Sequence, residues 1–185
     1  MAAKFTQGLL REEAILAQLN IRPGQTVLDA GCGDGYMAKR FAKLAGDAGV
    51  VYAMDRDSSL IEGLRREVSQ RTIVPLIGDI TRRTELAAGS VDLIYLSAVF
   101  HIFTPSQVAG FAAEVRRLLK PGGRLAVVNI NKEETPFGPP IAQRSSPDEL
   151  RRRLSLLPAG LVEAGEHFYM QLFEMPEESS QAYGA

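Results

Sequence analysis

Apolar residues follow two alternating rhythms along the chain. Short, mostly apolar runs at 27–30, 50–54, 73–77, 91–96 and 124–129 read as buried strands. Between them the apolar positions fall three and four apart. This predicts a leading helix over 9–19, one after position 35 with Met37, Phe41 and Leu44 on its inner face, one over 58–68 capped by Asp57 or Ser58, and one over 111–119. Strands that alternate with helices build a parallel sheet with helices on both faces. Pro75 cannot donate to a ladder, so the 73–77 strand belongs at an edge. Lys120-Pro121-Gly122-Gly123 stops the fourth helix and turns the chain into the fifth strand.

The last third changes character. Residues 131–147, with Pro136, Phe137, Gly138, Pro139, Pro140 and Arg144, form the longest irregular stretch. Long ordered loops at the ligand edge of a sheet usually serve function, so this one is expected to cover an acceptor pocket, the other reading being a passive linker. Ser146-Pro147-Asp148-Glu149 starts another helix, and its Arg151-Arg152-Arg153 run reads as a solvated face. Residues 161–166 and 168–175 read as a terminal antiparallel pair, and 1–8 and 177–185 as flexible ends.

Composition narrows the class. A chain of 185 residues that is 45% hydrophobic fits a single domain, 1–185, with a substantial core. A net charge of −1 with no basic block gives no strong nucleic-acid signal. Cys32 is the sole cysteine and has no intramolecular disulfide partner. No apolar run approaches membrane-spanning length and the first residues lack a signal-peptide core, so the expected location is cytoplasmic. No metal ligands are assigned. The pattern does not reveal an oligomeric state.

The chemistry centres on Val27-Leu28-Asp29-Ala30-Gly31-Cys32-Gly33-Asp34-Gly35, a strand running into a glycine turn and a helix start. Such a turn brings backbone close to a ligand. In a dinucleotide site a diphosphate sits at the helix N-terminus, yet here Asp29 and Asp34 bracket the turn and Tyr36 stands where a third fingerprint glycine belongs. Carboxylates there repel phosphate and favour a cation. The nonapeptide, together with Leu-Lys-Pro-Gly-Gly at 119–123, resembles the Rossmann-like (class I) S-adenosylmethionine (SAM) methyltransferases over roughly residues 9–176.

That resemblance implies a fold and a set of roles. The fold is an α/β, Rossmann-like, doubly wound and mostly parallel seven-stranded sheet, with an antiparallel terminal strand inserted between the fifth and sixth. Asp29, Gly31 and Gly33 form the cofactor loop. Asp55 ends the second strand 55 − 31 = 24 positions after the first glycine and binds the ribose hydroxyls, with Arg56 beside it. Asp79 takes the adenine amino group and Ile80 packs on the ring, the other reading of Asp79 being a cap for the turn at 82–86. Ser97 and Ala98 line the sulfonium end, and the leading segment near Phe5 partly covers the cofactor.

His101, four residues after Ser97, is the candidate general base for an acceptor that must lose a proton, the other reading being a helix-start imidazole satisfying backbone. Tyr36 and Phe100 are candidates for an apolar acceptor pocket. The expected activity is transfer of a methyl group from SAM, with S-adenosylhomocysteine as product, to a small-molecule acceptor. A non-catalytic adenosyl-binding relative and an NAD-dependent oxidoreductase stay open as alternatives. No Pro-Pro-Tyr-like signature of adenine or glutamine methylation follows the fourth strand, and a lone cysteine does not suit arsenite methylation.

Overall fold

The computed structural model describes residues 8–68 and 71–177. The expected flexible ends and Phe5 fall outside those residues, apart from Gly8 and Glu177 at the boundaries. Among the described residues, the strands are β1 (Thr26–Ala30), β2 (Val50–Asp55), β3 (Ile73–Ile77), β4 (Val91–Ser97), β5 (Leu119–Ile130), β6 (Leu157–Gly165) and β7 (Phe168–Glu174). They form one sheet in the order β3-β2-β1-β4-β5-β7-β6. The first five run parallel, and β7 lies antiparallel between β5 and β6. This is the expected doubly wound sheet, with Pro75 on its edge strand.

Strand alternation decides which helix covers which face. Val27, Val51 and Leu93 point to one side, where α1 (Glu12–Leu19) contributes Ile15 and Leu19, α2 (Tyr36–Ala45) Phe41, and α3 (Ser58–Glu67) Ile61 and Leu64. Leu28, Ile94 and Val127 point to the other, against Phe111 and Val115 of α4 (Pro105–Leu118) and Leu150 and Leu154 of α5 (Pro147–Leu154). Each such side chain taken fully out of water contributes about 1.5–3 kcal/mol. Central strands buried on both faces need apolar residues at nearly every position, which is why β1 and β4 read as runs. Winding reverses between β1 and β4, and their carboxyl ends open a cleft there.

Four segments differ from the sequence expectation. Helix α4 starts at Pro105 rather than 111, because Thr104 and Gln107 close a capping box upstream. Gly110, which breaks the pattern there, is required by packing: a Cβ would sit 2.1 Å from the Thr81 carbonyl oxygen. Lys120–Gly123 lies within β5 as an excursion, since Val91 faces Leu119 and Leu93 faces Arg124. Strand β6 begins at Leu157, four residues early. The arginine run is not simply solvated: Arg151 Nε donates to Oε1 of fully buried Gln171 at 2.9 Å, and Arg153 lies over the Phe100 ring at 4.7 Å.

The irregular stretch is organised by one buried cation. Arg144, 6% exposed, donates from Nε to the Pro139 carbonyl at 2.8 Å, from Nη1 to those of Asn131 (3.1 Å) and Glu133 (2.7 Å), and from Nη2 to that of Phe137 (3.2 Å). A loop without secondary structure must place its backbone polar groups somewhere, and here a single guanidinium accepts that role. Replacing Arg144 by Met strands these carbonyls and is expected to cost about 2–4 kcal/mol, read as a lower urea midpoint, with cleavage by protease focused on 131–146.

Candidate functional site

The glycine turn holds its shape through backbone geometry and one carboxylate. Gly31, Gly33 and Gly35 have φ of 79°, 57° and 76°, the left-handed region that side chains disfavour. The N–H groups of Gly31 and Cys32 both donate to the Met54 carbonyl, at 2.7 and 3.0 Å, tying the turn to the end of β2. Asp55 then clamps it: Oδ2 accepts from Gly33 N–H at 2.9 Å and Oδ1 from Asp57 N–H at 3.0 Å. Each oxygen keeps a lone pair for the cleft. At Gly31 a Cβ would meet Val99 Cγ2 at 2.7 Å, so this glycine also lets the turn after β4 close in.

Asp79 is fixed in a similar way, its Oδ1 accepting from the Thr81 N–H (2.9 Å) and hydroxyl (2.6 Å). Partial burial works to raise its pKa, but the Thr81 bonds with Arg56 and Arg82, 3.8 and 3.7 Å from Oδ2, outweigh this and hold the carboxyl below its ordinary value. The 82–86 segment forms no helix, so Asp79 caps none there.

The floor of the cleft is its most unusual part. Asp29 and Tyr95 face each other in register on β1 and β4, and Ser97 follows two residues on. Asp29 Oδ2, the Tyr95 hydroxyl and Ser97 Oγ are buried with no hydrogen bond of ordinary geometry among the described residues, the Tyr95 and Ser97 hydroxyls having only each other nearby. Burial, with the Asp55 and Asp34 charges adding to it, pushes the Asp29 pKa up to about 7 despite one backbone bond from Ala38. Burial raises the Tyr95 phenol as well. Polar groups left dry in this way cost about 1–3 kcal/mol each, which a ligand can recover.

All eight cofactor residues read from the sequence, Asp29, Gly31, Gly33, Asp55, Arg56, Asp79, Ile80 and Ser97, line this one cleft. Ala98 does not line it, and neither does His101. It sits half-buried on the 3-10 turn Phe100–Ile102, and burial first, then the Arg144 charge, lower its pKa. Phe100 is fully buried in the core, and no residue of 131–147 reaches the cleft. Tyr36 does reach it, but its hydroxyl donates to Glu12 at 2.9 Å and accepts from Arg40 at 2.9 Å.

Glu12 and Tyr95 escaped the sequence reading. Glu12 looks like an ordinary acid in a helix first turn, and only the docking of α1 sets it, 16% exposed, against Tyr36 and Arg40. Tyr95 shares strand parity with Ser97, a signal that was present, but its meeting with Asp29 depends on register.

A doubly wound sheet with an acid-lined cleft at its switch point defines a Rossmann-like α/β domain shaped for a cationic nucleoside rather than a diphosphate. The chain belongs to the methyltransferase domain family, whose match covers residues 27–123. It is 34% identical over 123 residues to a ubiquinone/menaquinone biosynthesis C-methyltransferase of Cupriavidus metallidurans, 66% of this chain and 50% of that protein. The aligned region thus spans about half the length of that relative. Among solved structures, an Aquifex aeolicus SAM-dependent methyltransferase superposes with a TM-score of 0.81 and 25% identity, covering 92% of each chain. A TehB-like SAM-dependent methyltransferase from Corynebacterium glutamicum shares the fold at TM-score 0.68 and 20% identity, over 87% of this chain and 85% of that one.

Asp29 links stability to pH. With its folded pKa near 7 and an unfolded value of 3.8, the folded state keeps a proton that the unfolded chain has released, so stability falls as pH rises from about 4 to 7. Urea unfolding at pH 5 and pH 7 is expected to show wild type losing about 2 kcal/mol that Asp29→Asn does not lose. Parallel slopes in the two proteins would show Asp29 ionised in the fold.

Proposed function

We propose that this chain transfers a methyl group from S-adenosylmethionine to a small-molecule acceptor. The observation that carries the reading is the cleft floor: three buried polar atoms without a hydrogen bond of ordinary geometry, beneath a left-handed turn bracketed by acids. These residues fit a ligand with an ammonium, a sulfonium and a ribose. They do not suit a diphosphate, which Asp29, Asp34 and Asp55 would repel. When bound, SAM supplies a methyl group already activated on a positively charged sulfur.

The chain's own contribution is placement. Asp55, held by Gly33 and Asp57, presents its free lone pairs to the vicinal hydroxyls of the ribose. Asp79, pinned by Thr81, accepts the adenine amino group, and Ile80 gives the ring an apolar wall. Asp29, Tyr95 and Ser97 take the amino-acid and sulfonium end, where Asp29 gains by ionising. Gly31 and Gly33 let the backbone approach. Holding a nucleophile in line is worth several kcal/mol and needs no covalent intermediate with the protein. The likeness to a C-methyltransferase of quinone biosynthesis supports a small molecule as acceptor.

Calorimetry with SAM and S-adenosylhomocysteine, followed by turnover on an acceptor panel, tests this reading. Submillimolar binding of both is expected, and binding of NADH instead would overturn it. Asp55→Ala is expected to weaken S-adenosylhomocysteine binding by about 1–3 kcal/mol and, because the Gly33 and Asp57 N–H groups lose their acceptor, to lower the unfolding midpoint as well. Affinity for SAM should also rise between pH 5.5 and 7, as Asp29 ionises and before the ligand's α-amine titrates, and this rise should flatten in Asp29→Asn.

A further inference from the structure

A second concavity lies at the carboxyl edge of the sheet, where β5 gives way to Lys132 and α5 begins. Lys132, Arg144, Arg152 and Arg153 converge there with Ser145, and Glu149 is the one acid among them. Four cations against one carboxylate stand out in a chain whose net charge is −1.

The acid is already committed. Glu149 Oε1 accepts from Lys132 at 2.6 Å and Oε2 from the Ser146 N–H at 2.9 Å. Arg144 meets only carbonyl oxygens, which satisfy its donors but leave its charge in place. A buried charge without a counter-ion is costly, and an incoming anion relieves that cost. The effect of this cation reaches His101, whose pKa it helps to lower.

Two further groups are held ready. Arg153 is braced by the Phe100 ring beneath it, and its Nη1 donates to Ser145 Oγ at 2.8 Å. That leaves the buried Ser145 hydroxyl its own proton to donate. Arg152 has no hydrogen bond or ion pair from its side chain among the described residues. Forked guanidinium donors beside a hydroxyl match the oxygens of phosphate and carboxylate.

We propose that this pocket binds the phosphate or carboxylate group of an anionic methyl acceptor. The 3-10 turn Phe100–Ile102 links the two sites: Phe100 supports Arg153 on one side, while Ile102 lines the donor cleft on the other. An acceptor anchored by its anionic end across this turn presents its other end to the cleft. The assignment to the acceptor rests on the methyl-transfer reading; the anion site itself does not.

The test compares wild type with Arg152→Gln, an exposed and unpaired position whose change leaves folding intact. Calorimetric titration with inorganic phosphate at low ionic strength is expected to show binding by wild type that weakens at least fivefold in the variant. Absent or equal phosphate binding overturns the site. S-adenosylhomocysteine titrations on the same samples report on the donor cleft alone, so a failure there removes the methyl-transfer reading without altering the phosphate result. For the source of the anion, acidic acceptors are expected to show a KM at least fivefold higher in Arg152→Gln with kcat within twofold. Equal KM values for every acceptor turned over overturn the assignment to the acceptor.

Discussion

A carboxylate buried at the end of a central strand is the constraint around which this molecule is arranged. Asp29 is 3% exposed, stands between two apolar strand residues and faces a tyrosine rather than a cation. Nothing in the hydrophobic sheet needs it there, and its ionisation is opposed by burial and by two neighbouring acids. The sheet can carry that penalty because β1 is flanked by β2 and β4 and packed on both faces. A penalty located at a cleft is also a capacity for selective binding, since a cation entering beside Asp29 offsets the cost of ionising it there.

The same end of the sheet carries opposite electrostatics on either side of one short turn. Around the glycine loop the lining is acidic, and its fixed parts are carboxylates held by backbone N–H groups. Around the start of α5 it is basic, and its fixed parts are guanidinium groups held by carbonyls and an aromatic ring. Separation matters, because acids and bases placed together would neutralise one another as salt bridges. The tight 3-10 turn after β4 and the Arg144-organised loop after β5 keep the two fields apart.

Much of the architecture was legible because it rests on local rules. Apolar runs of five or six residues mark strands buried on both faces, Pro75 marks an edge, and glycines on alternate positions mark a left-handed turn. The misjudged boundaries have a common origin in contacts between segments distant in sequence. Gly110 looks like a flaw in a helix until the Thr81 carbonyl is seen against it. Arg151 looks solvated until β7 brings Gln171 beneath it.

Residue types and their spacing alone determined that acids would bracket the glycine turn and that Asp55 and Asp79 would stand at and just past the ends of the second and third strands. Strand ends are set by short-range pattern, and parallel winding delivers them all to one edge. Tertiary structure alone decided that Tyr95 would face Asp29, that Glu12 would dock on Tyr36, and that His101 would lie outside the lining of the cleft. Those outcomes depend on strand register and on how a helix or turn seats against the sheet. Such placements arise from the sum of many weak packing contacts, and no local pattern in the chain encodes that sum.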